Sequence, residues 1–306
     1  MLNLILLYDQ VGIEAPGYEL MKIAHLILAH SGPEQLQRLI SRMAHPNAYF
    51  FVHIDAKADI GAFTFLAKTD RVFFVEKRVK VRWGAYSIVQ ATLNGFKAIL
   101  DSAISVNRIN LLSGSDYPLA NPENVHRFFE ENRETNFMEF QDVISVWKEA
   151  IPRVTEYHLD NYSFPGKYLV QNWINRLLPA RKMPAGLTPV GRSQWMSLTA
   201  ESVQYILQYL DEHSEVARFF KLTWAPDEMI FQTILYSSRY RESLLNDNLR
   251  YVDWSAGEPS PKLLTGDDLE KLLKSGKLFA RKFDMKTNPE ILDLLDERIF
   301  INQINL

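Results

Sequence analysis

The sequence predicts an α/β fold in which a mostly parallel central sheet carries helices on both faces. Strand patterns alternate with helical patterns, and the early strands close on polar or glycine-rich loops. The 306 residues, 47% of them hydrophobic, suffice for one sizeable core. Without internal repeats or low-complexity segments, residues 21–299 are expected to form a single domain. Residues 1–20 are interpreted as an N-terminal appendage, such as an over-extended start site would produce, and residues 300–306 as a C-terminal tail.

The individual elements follow from their apolar spacing and from the residues that bound them. The first predicted helix follows Pro33 and runs through Met43, and another follows Pro226. Residues 140–190 lack periodicity apart from a short helical piece near 170–178, which is typical of a variable binding segment. The predicted strands are 22–29, 49–54, 72–75, 110–112, 194–198 and 251–254. The other predicted helices are 83–100, 199–210 and 269–274.

Composition excludes several classes of protein. The formal net charge of -3, without a long Lys/Arg run, argues against a nucleic-acid partner. Cysteine is absent, which excludes disulfides and thiolate metal or redox sites. The apolar start of eight residues meets Asp9, and no stretch approaches the length that spans a bilayer. A transmembrane segment is therefore not expected, whereas peripheral contact with a membrane is allowed.

The segment TWAPDEMIFQTIL contains two adjacent acids behind a proline. Pro226 suits the first turn of a helix, and Asp227 and Glu228 are expected in that turn, where the helix dipole favours negative charge. The simpler interpretation is a capped core helix. The alternative is a general base, because Trp224 directly upstream offers an aromatic wall. In that role Glu228 needs a pKa nearer neutrality than a free Glu, which partial burial beside Trp224 would provide.

Polar residues follow two predicted strands, at the edge where parallel sheets bind ligands. Asp55 ends the second strand, where it either caps a turn or accepts a hydrogen bond from a nucleotide. Asp116 follows the fourth strand among small residues that leave room for a ligand. The sequence contains no Asp-x-Asp and no metal-ligand set such as His-Glu-x-x-His, so no metal site is predicted.

Because no metal site is predicted, a bound diphosphate would need positively charged side chains of the protein to neutralise it. Arg281 and Lys282 lie between Phe279 and Phe283, which would anchor the segment while the two charged groups reach a cleft. The alternative is an edge strand with exposed basic residues.

Eight segments in order resemble the core-2/I-branching β-1,6-N-acetylglucosaminyltransferase and peptide O-xylosyltransferase family (glycosyltransferase family 14). They cover nearly all of residues 21–290, and the last two are closer to the xylosyltransferase branch. The segments are AHLILAH, VHIDAK, VRWGAYSIVQATL, INLLSGSDYPL, QWMSLTAESVQYIL, APDEMIFQTIL, YVDWSAGEPSPKLLT and LFARKFD.

The resemblance implies a GT-A-like nucleotide-sugar transferase fold, an inverting mechanism, a UDP-sugar donor and neither a metal ion nor another cofactor. It implies Glu228 as the catalytic base and Arg281 with Lys282 as the diphosphate-binding pair. The remaining assignments are Asp55, Trp83 and Asp116 to nucleotide binding, and Asp227, Trp224 and Trp254 to the acceptor side or the site wall. The variable segment 140–190, which matches the family least, is assigned to the acceptor side.

The expected activity is transfer of a sugar, N-acetylglucosamine or xylose, from a UDP-sugar to a hydroxyl of a glycan acceptor. Animal members carry disulfides and a membrane anchor, and the lack of both in this sequence favours bacterial-type polysaccharide synthesis at the cytoplasmic side, with membrane association allowed. The alternative is a catalytically inactive carbohydrate-binding protein on the same fold. A glycoside hydrolase fits less well, because its two carboxylates must flank the sugar at roughly 5–10 Å. Asp227 and Glu228, adjacent in a helix, point in different directions.

Overall fold

The computed structural model describes residues 21–301. The predicted appendage at 1–20 and residues 302–306 of the predicted tail therefore lie outside the described residues. The strands are β1 (Ile23–Ala29), β2 (Ala48–Ile54), β3 (Val72–Phe74), β4 (Arg108–Ser113), β5 (Tyr117–Pro118), β6 (Asn136–Asp142), β7 (Val190–Thr199), β8 (Leu244–Asn246), β9 (Arg250–Val252) and β10 (Phe279–Arg281). The α-helices are α1 (Pro33–Arg42), α2 (Ser87–Leu100), α3 (Pro122–Glu131), α4 (Ile151–Thr155), α5 (Lys167–Leu177), α6 (Ala200–Glu212), α7 (Ser214–Phe220), α8 (Ile230–Tyr236), α9 (Leu269–Lys274) and α10 (Glu290–Asp296).

A seven-stranded sheet forms the centre of the protein, in the order β3-β2-β1-β4-β7-β6-β8. Every neighbouring pair is parallel except the two that involve β7, which runs antiparallel to β4 and to β6. Four of the six pairs are thus parallel. The predicted mostly parallel sheet is confirmed.

Both faces of this sheet are buried, as the near-continuous apolar runs of the parallel strands require. Leu26 and Leu111 point into one core, which α2, α6 and α8 cover with Phe96, Ile206 and Phe231 among others. The residues next to them, Ile27 and Leu112, point into the opposite core, which α1 and α3 cover. The predicted helices on both faces are confirmed.

A second sheet of three strands, in the order β5-β10-β9, stands beside the carboxyl ends of β1 and β4. Its strand β10 ends at Arg281 and pairs with a neighbour on each side, so the alternative of an exposed edge strand is wrong. Phe279 and Phe283 are both buried, as their predicted anchoring role requires. Phe283 and Tyr117 pack with α10 in a third apolar cluster.

The predicted position of Asp227 and Glu228 in the first turn of an α-helix is wrong. Pro226–Glu228 is a separate 3-10 turn, and α8 begins only after Met229, whose φ of -136° interrupts the helix. We call Pro226–Glu228 the carboxylate turn. Residue Ala225 before it has a positive φ of 47° and donates its N–H to the Gly84 carbonyl at 2.8 Å. This long-range bond fixes the turn against the segment that precedes α2.

Two further expectations need correction. The helix predicted for 83–100 begins only at Ser87, because residues 83–86 form a turn around Gly84, whose φ is 72°. The segment 140–190 is more regular than predicted, since it begins within β6 and contains α4 besides α5, which is the helical piece predicted near 170–178. Within residues 21–301, no helix combines the length and the apolar character that crossing a membrane requires.

Candidate active site

A cavity of about 700 Å³ opens where β1 and β4 end, and we call it the strand-end cavity. After β1 the chain turns through Gly32, whose φ of 65° suits glycine, into α1. Gly114 follows β4. The lining residues are His30, Ser31, Gly32, Glu34, Gln35, Gly114, Ser115, Ala256, Glu258, Ser260, Pro261, Lys262, Leu263, Lys282, Phe283, Asp284, Met285 and Lys286. This is the edge at which the sequence predicts a ligand.

Lysine side chains bring positive charge to the strand-end cavity. Lys282 extends from the end of β10, with its Nζ 3.5 Å from Ser260 Oγ. Lys262 also lines the cavity, but its ammonium group contacts both carboxylate oxygens of Asp268, at 2.8 and 2.9 Å. Of the two lysines, Lys282 is therefore the one more available to an anionic ligand.

Arg281 lies on a different side from Lys282, against β7. Its guanidinium stacks over the Trp195 ring at 4.0 Å from the centroid, and its Nε lies 3.7 Å from Asp116 Oδ1. Burial lowers the Arg281 pKa, and Asp116 opposes that effect. Among the side-chain hydrogen bonds of residues 21–301, none comes from the Arg281 guanidinium, and its Nε is buried without a partner. The side chain is thus positioned by stacking on Trp195 and by the charge of Asp116, and it is largely enclosed.

The carboxylate turn presents Glu228 to a cation held between two indoles. Glu228 Oε2 accepts from Arg153 Nη1 of α4 at 2.6 Å. The Arg153 guanidinium lies 4.5 Å from the Trp147 ring centroid and 4.3 Å from that of Trp224. The Glu228 side chain is 34% exposed, and its Oε1 accepts no hydrogen bond from the described part of the chain. One oxygen is fixed by Arg153, and the other is open to a ligand.

Asp227 points inward, unlike its neighbour. Its side chain is buried, which does not fit direct contact with an acceptor sugar, and Oδ1 has no hydrogen-bond partner within residues 21–301. Burial raises the pKa of Asp227 to about 7, and the negative charge of Glu228 adds to the rise, while its own backbone N–H and Arg153 oppose it. Asp227 therefore gains a proton near neutral pH and stands behind the site rather than in it.

Replacing Asp227 with Asn should make stability less dependent on pH. Between about pH 4 and 7 the folded protein holds a proton that the unfolded chain has released, so this group's contribution falls as pH rises through that window. Above pH 7 the wild type carries a buried charge that Asn lacks. We expect the melting temperature of Asp227→Asn to exceed that of the wild type by about 3–8 °C at pH 8, with little difference at pH 4.

The matched control for this measurement is Asp101→Asn, an exposed acid at the end of α2. It should track the wild type throughout. If the melting temperatures of Asp227→Asn and the wild type change with pH in the same way from pH 4 to 8, Asp227 does not titrate in this range.

A second cavity of about 710 Å³ has five aromatic residues among the eleven that line it, and we call it the aromatic pocket. Trp83 and Trp224 meet edge to face in it, with ring centroids 5.6 Å apart. Gly84 permits this contact, because a Cβ there would lie 2.8 Å from Trp224 Nε1. The lining residues are Arg82, Trp83, Asp160, Tyr162, Ser163, Phe164, Gly166, Lys167, Tyr168, Leu169 and Trp224. Flat apolar rings with polar edges suit the faces of sugar rings.

Strand β7 connects the carboxylate turn to Arg281. The carbonyl of Glu228 packs so closely on Gly191 that a Cβ there would collide with it. Four residues further along the strand, Trp195 carries the Arg281 guanidinium. At a rise of 3.3 Å per residue the two points are at most about 13 Å apart along the strand.

The other residues singled out in the sequence occupy varied positions. Asp55 caps its own turn, accepting from the Lys57 N–H at 2.8 Å. Asp116 is fully buried and accepts from the Ser113 hydroxyl and N–H at 2.6 and 3.1 Å. Trp254 is more than half exposed and lies outside the lining of both cavities. Of the predicted set, the structure groups Trp224 with Trp83 and, through Arg153, with Glu228; Asp116 with Arg281 forms a separate pair.

Sequence reasoning missed Arg153 and Trp195. Arg153 lies in the segment with the weakest periodicity, and its contacts join residues 75 positions apart. Trp195 was contained in a correctly predicted strand, where an indole reads as core. Neither carries a local pattern that would single it out. Among residues 21–301, no group of three or more His, Asp or Glu side chains is arranged to hold a metal ion.

Comparison with known proteins identifies relatives across most of the chain. The family model described as "Branch: Core-2/I-Branching enzyme" matches residues 23–273. Xylosyltransferase 2 of Rattus norvegicus is 25% identical over 323 residues, which cover 96% of this chain and 35% of the relative. The Homo sapiens protein of that name is 25% identical over 306 residues, with 92% and 34% coverage. Xylosyltransferase of Ciona intestinalis is 23% identical over 308 residues, with 93% and 35% coverage. The chain spans about a third of the length of these relatives.

Solved structures match more distantly. Mouse xyloside xylosyltransferase 1 in its apo form shares 12% identity and a TM-score of 0.35, over 84% of this chain and 97% of that one. Core-mannan synthase A from Aspergillus fumigatus, in an Mn/GDP form, shares 11% identity and a TM-score of 0.37, over 75% and 74%.

Proposed function

From the premise that this chain belongs to the core-2/I-branching enzyme family, we propose that it is an inverting, metal-independent glycosyltransferase that uses a UDP-sugar. The proposed donor sugar is N-acetylglucosamine or xylose, and the acceptor is a hydroxyl of a glycan. The observation that carries the proposal is that one strand, β7, contacts both the turn with the partly exposed carboxylate of Glu228, at Gly191, and the Arg281 guanidinium, at Trp195. The proposed setting is polysaccharide synthesis of a bacterial type at the cytoplasmic side of a membrane.

In the proposed reaction Glu228 acts as the general base. Its open Oε1 takes the proton of the acceptor hydroxyl while the acceptor oxygen attacks the anomeric carbon of the donor sugar. The bond from that carbon to the UDP oxygen breaks on the opposite face, so the configuration inverts and UDP leaves with the bonding electrons. Arg281 and Lys282 stabilise the negative charge that develops on the diphosphate.

Arg153 is the positioning residue of this mechanism. Its guanidinium, which contacts two indoles, donates to Glu228 Oε2 and so fixes the carboxylate in a single orientation before the acceptor arrives. A base that is already oriented needs no reordering in the transition state. The aromatic pocket, whose wall includes Trp224, supplies the adjoining surface for the acceptor glycan.

The proposal is tested by a thermal-shift screen followed by turnover. UDP, and UDP-N-acetylglucosamine or UDP-xylose, should raise the melting temperature because they bind only the folded state, whereas GDP-mannose should not. UDP-glucose and UDP-glucuronic acid complete the screen. A protein that no UDP compound stabilises is not a UDP-sugar transferase. Stabilisation by glycans without release of UDP would instead favour the inactive carbohydrate-binding protein that the aromatic pocket also suits.

Metal independence leads to a separate expected result. With protein cations opposite the diphosphate, transferase activity should change by less than about twofold after treatment with EDTA, because no ion completes the site. The measurement is UDP release before and after chelation, and again after Mn²⁺ or Mg²⁺ is added back. Loss of activity on chelation and recovery with either ion would overturn this part of the proposal.

A further inference from the structure

Helix α5 packs against the protein through its polar side. Gln171 Oε1 accepts from the Leu159 N–H at 2.9 Å. One turn later, Asn175 accepts from the Tyr157 N–H at 2.7 Å and donates to the Tyr157 carbonyl at 3.0 Å. No residue of the helix is buried. The amides that would normally face water are therefore used to fix α5 to the protein.

The opposite side of α5 exposes large apolar groups. Leu169, Trp173 and Leu177 recur every four residues, which places them on one stripe, with Val170 at its edge. These side chains are 68%, 61%, 72% and 42% exposed, respectively. A surface helix normally turns such a stripe inward. A contiguous exposed patch of this kind marks an interaction surface rather than random surface composition.

Charge identifies the chemistry that this surface complements. Residues 161–200 contain no Asp or Glu, although the whole chain has a net charge of -3. The Arg181 guanidinium is buried and donates to backbone carbonyls including that of Glu156, at 2.8 Å, so it anchors the segment. Arg176 and Lys182, near the carboxyl end of α5, are exposed. The other two cations of the segment have acidic partners: Lys167 Nζ lies 3.4 Å from Asp160 Oδ1, and Arg192 Nε lies 3.9 Å from Glu139 Oε1.

We propose that α5 docks the protein on the surface of an anionic lipid bilayer. The helix lies in the plane of the interface, with the stripe of Leu169, Trp173 and Leu177 at the boundary of headgroups and acyl chains. Arg176 and Lys182 sit at the level of the anionic headgroups. Tryptophan at such a depth suits its apolar ring and polar N–H. The proposal does not depend on the proposed sugar transfer.

A lipid surface fits these observations better than a second copy of the chain. A twofold contact through α5 would bring Arg176 and Lys182 of one copy close to the same residues of the other, and like charges oppose association. An anionic bilayer is flat, apolar below its surface and negative at it. Its apolar layer can accept the stripe of α5, and its negative surface can bind the cations beside that stripe.

Docking through α5 also sets the orientation of the aromatic pocket. Tyr168 and Leu169 belong to the helix and line that pocket, with Trp83 across from them. The pocket mouth would therefore stand next to the headgroups. A glycan acceptor carried on a lipid could enter it without leaving the membrane.

The test is co-sedimentation of the full chain with two kinds of vesicle. One contains phosphatidylcholine and phosphatidylglycerol at a molar ratio of roughly 70:30, and the other contains phosphatidylcholine alone. We expect binding to the anionic vesicles that weakens with added salt. Trp173→Gln with Leu177→Gln should reduce partitioning at least about tenfold, because the buried apolar area is lost. Arg176→Gln with Lys182→Gln should remove the preference for anionic lipid.

Controls separate these effects from general changes of the surface. Leu245→Gln with Leu273→Gln removes exposed apolar groups elsewhere, and Lys68→Gln with Lys97→Gln removes exposed cations elsewhere. Both should bind vesicles as the wild type does. All substitutions are at exposed positions, and an unchanged melting temperature confirms folding.

Two results would overturn the proposal. One is equal vesicle binding by the α5 apolar variant and the wild type. The other is a dimer of the wild type in sedimentation velocity that the same variant converts to a monomer, which would assign the stripe to self-association. UDP binding is measured in parallel, so a failed membrane proposal and a failed transferase proposal give different patterns.

Discussion

Glu228→Gln should lower kcat by roughly 100-fold or more while leaving UDP binding nearly unchanged. The amide keeps the shape of the side chain and can still contact Arg153, but it cannot accept the proton of an acceptor hydroxyl. General-base catalysis contributes roughly 10²–10⁴-fold, which sets the scale of the loss. The measurement is kcat for UDP release with acceptor present, alongside the UDP dissociation constant from titration calorimetry.

Two companion variants sharpen this result. Glu242→Gln, on an exposed turn, is the matched control and should retain full turnover. Arg153→Gln leaves the base in place but removes the cation that holds Oε2, so it should reduce turnover less than Glu228→Gln does. If Glu228→Gln keeps more than about a third of wild-type turnover, Glu228 is not the base. Asp227 and Asp116 would then be tested, although both are buried.

Replacing Arg281 and Lys282 together with Ala should weaken UDP binding by roughly 2–4 kcal/mol, the range for losing a buried charge partner. That free energy corresponds to roughly 30- to 1000-fold in the dissociation constant. Uridine, which lacks the diphosphate, should bind almost as before. The contrast between the two ligands identifies a phosphate role, because misfolding would reduce both affinities alike.

The two single variants should differ, since the structure separates the side chains. Lys282 lines the strand-end cavity, whereas Arg281 is nearly enclosed by Trp195 and Asp116. High salt should mimic the loss of Lys282 better than the loss of Arg281, because enclosed charges are screened much less than exposed ones. Lys68→Ala with Lys97→Ala, both exposed, is the matched control.

Equal loss of UDP and uridine affinity in the double variant, with circular dichroism unchanged, would make the pair structural. Lys262, Arg250 and Arg82 would then be the alternative candidates for binding the phosphates. The structure narrows this set: Arg250 is buried and donates to Leu111 and Asn110 in the interior, and Arg82 lines the aromatic pocket. Lys262, at the strand-end cavity, would be tested next.

Local patterns predicted five of the seven strands of the central sheet and missed β6 and β8. Strands such as β1 and β2 are short apolar runs closed by polar residues, so their bounds could be predicted to within a residue or two. The helix α9 was predicted with its observed bounds. The position of Arg281 at a strand end also followed from the sequence, because Phe279 and Phe283 mark the buried side of the segment.

The geometry around Glu228 could not be predicted in the same way. The carboxylate turn departs from a helix because of the bond from Ala225 to the Gly84 carbonyl and the close approach of Gly191, which are contacts between distant segments. Such contacts between distant segments cannot be recognised from the helical periodicity of the sequence. The outward apolar face of α5 was likewise hidden, since a spacing of four predicts a stripe but not the direction in which it points.

The path of β7 from Gly191 to Trp195 has a consequence for how the site can diverge. Side chains alternate between the two faces of a strand, so one inserted residue would turn Trp195 to the other face and leave Arg281 without its indole. Two inserted residues would restore the face and lengthen the separation by about 7 Å. The distance along β7 between the carboxylate turn and the Arg281 guanidinium can therefore change only in steps of two residues. Gradual adaptation to longer or shorter substrates has to come from the loops.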